Sequence, residues 1–266
     1  MFFFGYFAFI IMGIVLGVMG AGGSALSVPI ITYLFKIPAS LAITYALFVV
    51  GITSLFGSIK YLKLGLINFR NSFYFILFSL LSIYFVRVYL LNKIPSELAF
   101  CGKSITKDSI LICTFAFIMI LSVFSMIKNI QFNNYPKKYE TAALSIIGTI
   151  VGIITGLVGA GGGFLIVPSL IIFSRLKFKE AIGTSLILIT CNSLFGFITD
   201  IFLNKISIKY DFLMIISIIS IIGALIGAKI NSFIEVSIIR KVFIILLLLV
   251  SSYIFIIEIL FNLVLN

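Results

Sequence analysis

Apolar residues run along this chain in long unbroken stretches separated by short charged segments. The first Lys is Lys36, so residues 2–35 form a 34-residue run without a charge. Residues 141–174, between Glu140 and Arg175, form a second run of 34. One straight helix of that length would measure about 51 Å, against about 30 Å for a bilayer core, and two full spans with a turn need about 40 residues. Each run carries a glycine cluster about nineteen residues in, with about twelve residues beyond it. The pattern predicts a full helix, a glycine break inside the membrane and a half-helix in each run. Charge gaps place the remaining spans at 39–59 and 180–199, 71–91 and 210–229, and 108–127 and 240–262. The expected fold is an all-α polytopic membrane protein of eight transmembrane helices plus two half-helices. The runs lack the alternation a barrel strand requires, and the segments between them are too short for a soluble domain.

The chain reads as a duplication. Gly20-Ala21-Gly22-Gly23 recurs as Gly159-Ala160-Gly161-Gly162 at an offset of 139. At the same offset Gly13, Ile14 and Gly17 fall on Gly152, Ile153 and Gly156, and Leu26, Val28 and Pro29 on Leu165, Val167 and Pro168. Ser54-Leu55-Phe56-Gly57 falls on Ser193-Leu194-Phe195-Gly196. Apolar composition alone does not align glycines, a proline and a tetrapeptide without a gap. Two repeats, 1–130 and 131–266, form one transmembrane domain, as in many secondary transporters.

Composition sharpens the class. Hydrophobic residues make up 62% of the chain and mean hydropathy is +1.32. Only 10% is charged, against about 25% in soluble domains. A soluble enzyme, a nucleic-acid binder and a disordered chain are excluded. There is no His, which excludes the intramembrane metalloprotease motif and His-ligated haem. Cys101, Cys113 and Cys191 have no C-x-x-C spacing and read as apolar free thiols. No nucleophile–base pair is visible, so neither catalysis nor a metal or cofactor is expected. Residues 1–19 lack a basic n-region and their small-residue end recurs mid-chain, so they read as structure and not as a cleaved signal.

The net charge of +11 lies in the loops. If each half-helix returns to the side where its helix began, each half has an odd number of legs and the repeats are inverted. One face then holds twelve of the nineteen Lys and Arg, including Lys60, Lys63, Arg70, Arg175 and Lys177. Parallel repeats would split the same charges 8 against 11. The positive-inside rule favours inversion, with both termini outside. Arg87, Asp200 and Glu258 read as helix-end residues that snorkel or pair at the interface, so no coupling site is visible in the sequence.

The chemistry is placed in uncharged backbone. Gly20 to Gly23 and Gly159 to Gly163 leave N–H groups unpaired inside the membrane, and these must face protein, water or substrate. Each following half-helix aims its N-terminus, with its partial positive charge, at the break, which favours an anion. Pro29 and Pro168 are expected in first turns. Gly13/Gly17 and Gly152/Gly156 read as close helix packing. The next helix carries Ser185, Asn192 and Gly196 on one face, flanked by Thr184 and Ser193, and the first half matches them with Ala46, Thr53 and Gly57 beside Thr44 and Ser54. The substrate-binding candidates are Gly20, Ala21, Gly22, Gly23, Thr53, Ser54, Gly159, Ala160, Gly161, Gly162, Gly163, Thr184, Ser185, Asn192 and Ser193.

These residues also carry a resemblance. Gly156-Leu157-Val158-Gly159-Ala160-Gly161-Gly162-Gly163 with Pro168, followed by Ala181-x-Gly183-Thr184-Ser185-Leu186, resembles the sulfite exporter TauE/SafE family of membrane transporters. The first half departs from the pattern at Ser24, where Gly163 stands in the second, and at Thr44-Tyr45-Ala46, where the family has Gly-Thr-Ser. The family includes members linked to sulfite, sulfoacetate and other small organic anions, so the resemblance implies an anion substrate. The expected protein is a multi-pass inner-membrane transporter of a sulfite, organosulfonate or carboxylate type of anion, working by alternating access. The competing reading is a non-transporting accessory protein of envelope or cytochrome assembly. Expected partners are a small anion and the lipid bilayer, with a homo-oligomer admissible and nucleic acid excluded.

Overall fold

In the computed structural model, residues 2–93, 97–100, 103–127, 140–159, 161–174, 176–203 and 208–264 are described. The helices follow the charge gaps. They are α1 (Phe2–Met19), α2 (Gly22–Pro29, continuing as a π-turn over Ile30–Leu34), α3 (Ala39–Lys63), α4 (Phe69–Phe85, continuing as a π-turn over Val86–Leu90) and the short α5 (Leu91–Lys93). A hairpin of β1 (Glu97–Phe100) and β2 (Lys103–Thr106) leads into α6 (Lys107–Ile127). The second half holds α7 (Glu140–Val158), α8 (Gly163–Phe173), α9 (Phe178–Phe202), α10 (Tyr210–Ile230) and α11 (Val236–Val264). Seven of these, α3, α4, α6, α7, α9, α10 and α11, are long and apolar enough to cross a membrane. The architecture is all-α and polytopic. The expected boundary at 130/131 lies outside the described residues, as does Ala160.

The helix α1 is the eighth leg, and α2 folds back along it. A Cβ on Gly5 would lie 2.5 Å from Cε2 of Phe35, and the Phe35 ring stacks on Tyr6 and Phe9 at 5.5 and 6.0 Å. The chain after α2 therefore returns to the end where α1 starts.

Helix directions follow from which residues touch. Gly13 and Gly17 of α1 meet Ser220 and Ala224 of α10, with numbers rising together, so these helices are parallel. Gly148, Gly152 and Gly156 of α7 meet Phe75, Ser79 and Val86 of α4 in the same sense. Between α3 and α9 the order reverses: Thr44 meets Asp200, Ser54 meets Thr190, and Tyr61 meets Gly183. Helices at equivalent positions in the two halves thus run in opposite directions. The faces that follow are the Ala39 face, where α3 begins, and the Lys63 face, where it ends.

The glycines explain the closeness of the outer pairs. On Gly17 a Cβ would lie 2.7 Å from the Ala228 nitrogen, and on Gly152 it would lie 2.8 Å from Ser79 Cα. Backbones this close gain dispersion contact that lipid chains cannot match. The most hydrophobic stretches of α3 and α9 are 67% and 72% buried, against 28% for α4 and for α11. The former pair therefore makes the centre, and the latter expose Phe73, Leu77, Leu81, Ile245 and Leu249 to lipid. At the Ala39 face the first N–H groups of α3, on Ala39 and Ser40, donate to the Asp108 carboxylate of α6 at 3.2 and 3.1 Å, a cap supplied from another helix.

Candidate functional site

The two glycine breaks meet at the centre of the bundle. A Cβ on Gly163 would lie 2.9 Å from Ser24 Oγ and 3.1 Å from Ala21 Cα, so α2 and α8 start head to head. Two helix N-termini in one place put unpaired N–H groups and two partial positive charges together, with no formal charge spent.

Among the described residues, the second break is the more unwound. Gly159, Gly161 and Gly162 have φ of 70°, 65° and 67°, and α8 resumes only at Gly163. An L side chain is strained in that left-handed region. Gly161 faces the Ser193 hydroxyl, and its Cβ would lie 3.0 Å from Ile189 Cγ2 and 3.2 Å from Val50 Cγ1. In the first break only Gly20 is left-handed, at φ 69°, and α2 resumes at Gly22. The Ser185 hydroxyl donates to the Gly20 carbonyl at 3.0 Å, and the Ser24 hydroxyl donates to the Ala21 carbonyl at 2.7 Å.

The helices α3 and α9 line this centre with polar groups. Thr53, Ser54, Asn192 and Ser193 are all fully buried. The Ser54 hydroxyl bonds that of Thr190 at 2.9 Å, and Ser79 of α4 donates to Asn192 Oδ1 at 2.7 Å. Among the described residues, Thr53 Oγ1, Asn192 Nδ2 and Ser193 Oγ have no hydrogen-bond partner. Buried polar groups are ordinarily paired. Thr53 and Asn192 stand at equivalent places on the two helices and Ser193 faces Gly161, and together they mark where a polar ligand would bond.

The predicted residues do not all gather here. The Thr184 hydroxyl accepts from the Asn68 backbone at 3.0 Å, near the Lys63 face, and so ties the α3–α4 connection. Ser185 holds the first break, as above. Pro29 and Pro168 are not in first turns: they are the eighth residue of α2 and the sixth of α8. The helices begin earlier because Ser24 bonds back to the Ala21 carbonyl, and Leu165 and Ile166 donate to the Gly162 carbonyl, before either proline is reached. Pro168 cannot donate to the carbonyl of Phe164, and the Ser122 hydroxyl of α6 does so instead at 2.5 Å.

The ionisable residues are where sequence reasoning fell short. Arg87 and Asp200 pair, one of the two expected arrangements, but inside the protein: each is 1% exposed, and Arg87 Nη1 donates to Asp200 Oδ2. Glu258 is 7% exposed and accepts from the Tyr33 hydroxyl at 3.1 Å. A charged residue within an apolar span was the available signal. Its position near the helix end concealed it, because the ends of α4 and α9 face each other inside the protein. Among the described residues, no group of His, Cys, Asp or Glu is arranged to hold a metal, and Cys113 and Cys191 are free thiols.

Comparison with known proteins shows the family. A protein of Methanocaldococcus jannaschii described as a "probable membrane transporter protein" is 28% identical over 239 residues, covering 84% of this chain and 85% of its own. Another so described, YdhB of Bacillus subtilis, is 26% identical over 222 residues, covering 82% and 86%. No solved structure matches. Residues 6–254 match the family model described as sulfite exporter TauE/SafE. The chain, a multi-pass membrane transporter and not an enzyme, belongs to the sulfite exporter TauE/SafE family.

Proposed function

We propose that the protein moves a small anion of the sulfite, organosulfonate or carboxylate type by alternating access around its two glycine breaks. The observation that carries this is the head-to-head start of α2 and α8, with Ser193 Oγ facing the second break and, like Thr53 Oγ1 and Asn192 Nδ2, without a hydrogen-bond partner among the described residues. Helix N-termini and neutral donors stabilise a negative charge without fixing it as a buried lysine would, which suits a site that must also release its ligand. Gly20, Ala21, Gly22 and Gly23 with Gly159, Gly161, Gly162 and Gly163 form the backbone wall in this reading. Thr53, Ser54, Asn192 and Ser193 form the side-chain wall. Thr184 and Ser185 act one step away, by fixing the connection after α3 and the first break. In this reading the repeats are 1–130 and 131–266, and because α1 packs on α10 and α4 on α7, the groups that move hold helices of both repeats. The Lys63 face, to which the inverted arrangement assigns twelve of the nineteen Lys and Arg, is the cytoplasmic one in this reading.

The test is substrate-dependent flux in proteoliposomes offered sulfite, sulfonates and carboxylates. Gly161→Val is expected to abolish flux while the protein still inserts and purifies as a single species. Its branched side chain meets both a left-handed backbone and the Ser193 hydroxyl. Flux retained by that variant would remove the central site.

A further inference from the structure

The buried pair near the Ala39 face has a feature that structural pairing does not use. Arg87 lies in the π-turn Val86–Leu90, a local widening of the helix often found at functional sites. Its Nη1 donates to Asp200 Oδ2, and that same oxygen accepts from the Thr44 hydroxyl at 2.6 Å. The Nε and Nη2 atoms are also buried, and among the described residues they donate to nothing. These two nitrogens form one edge of the guanidinium. Their parallel N–H bonds match two oxygens of a single carboxylate, sulfite or sulfonate. Asp200 takes the other end and leaves that edge unused.

Gly196 puts no side chain of α9 against this edge: a Cβ there would lie 3.6 Å from Arg87 Nε, in ordinary contact. Ser193, Gly196 and Asp200 are spaced three and four apart and share a face of α9. Seven residues of helix, about 10 Å, therefore separate the central site from the pair. The other half has no equivalent. Position 226, which corresponds to 87 at the offset of 139, is the lipid-exposed Ile226. Position 61, which corresponds to 200, is Tyr61, whose hydroxyl donates to the Gly17 carbonyl at 3.0 Å.

We infer that the Nε/Nη2 edge of Arg87 is an anion-binding station for a small two-oxygen anion, placed between the Ala39 face and the central site. The inference rests on the anion-transport reading for its ligand class, but not on the glycine breaks. Asp200 keeps the station from becoming a trap: the pair is neutral, so an arriving anion competes with a carboxylate instead of meeting a bare cation.

The experiment titrates acetate, methanesulfonate, sulfite and chloride into the full chain in lipid nanodiscs. Three variants accompany the wild type. Arg87→Lys keeps the charge and loses the fork, Arg87→Gln with Asp200→Asn leaves no lone buried charge, and Ser193→Ala alters the central site only. Arg87→Lys is expected to weaken acetate and sulfite binding by about tenfold or more while chloride changes by less than about threefold. The double variant is expected to lose the two-oxygen anions to the same extent. No saturable binding by the wild type, or affinities in both Arg87 variants equal to the wild type, overturns the station. Flux that survives Gly161→Val, together with acetate binding lost in Arg87→Lys, would sink the central reading and leave the station standing. The reverse pattern would do the opposite.

Discussion

The two glycine breaks begin from nearly the same letters and end in different conformations. Residues 20–23 and 159–162 both read Gly-Ala-Gly-Gly, yet among the described residues the first break has one left-handed residue and the second has three. Ser24 against Gly163 is the difference that matters locally. The serine nitrogen and hydroxyl both bond back to Ala21, at 3.2 and 2.7 Å, and so close the first turn of α2 early. Glycine at 163 offers no such hydroxyl, and the chain unwinds further before α8 forms. A parallel difference separates the Ala39 face, which holds a buried ion pair, from the Lys63 face, which holds a neutral tyrosine at the matching place. Duplicated sequence thus specifies a shared frame, and single substitutions within it give the halves unequal chemistry.

The unequal faces give the largest expected effect. Arg87→Met leaves the Asp200 carboxylate buried without its cation, which costs about 3–5 kcal/mol and should be read as a steep fall in melting temperature in detergent. Tyr61→Phe, at the position equivalent to Asp200, removes one neutral hydrogen bond worth about 1 kcal/mol. Equal losses would end the contrast. The breaks come next. Gly161→Ala forces an L residue into left-handed backbone at about 1–2 kcal/mol, besides pressing on Ser193. Gly22→Ala, its equivalent, stays in helical backbone and meets the movable side chains of Val15, Met19 and Phe243 at 2.8–3.1 Å. Its stability is expected to change by less than about half as much, and similar melting shifts for the two would show that both breaks are equally strained.

The smallest effect separates stability from function. Ser54→Ala breaks bonds to Thr190 and to the Gly51 carbonyl and should cost about 0.5–1.5 kcal/mol. Ser193→Ala removes a hydroxyl that bonds nothing among the described residues. It should leave the melting temperature unchanged or slightly raised while lowering anion flux. A clear loss of stability in Ser193→Ala would mean that the hydroxyl is structural and not kept for a ligand.

Much of the frame was legible because membrane spans obey simple arithmetic. Residues 39–59 and 180–199 were expected as helices and are found within α3 and α9, since an apolar run in lipid must satisfy its own backbone. The glycine packing stripes at Gly13/Gly17 and Gly152/Gly156 were legible for a similar reason: small residues at helical spacing permit backbone contact and little else. The site was legible only in part. Asn192 and Ser193 could be named from their rarity in an apolar span. That Ser185 grips the first break, and that Thr184 serves a distant connection, depended on which helix lay opposite.

The 139-residue offset, the two 34-residue runs and the scarcity of charge were enough to set fold class, repeat and the re-entrant half-helices. They are properties of one chain meeting a bilayer of fixed thickness. The tertiary structure decided what no single span carries. It set the opposed directions of α3 and α9, the meeting of α2 with α8, the pairing of Arg87 with Asp200, and which hydroxyls stay unpaired. Hydrophobicity is indifferent to partner, whereas a hydrogen bond or a buried charge is defined by the atom that faces it.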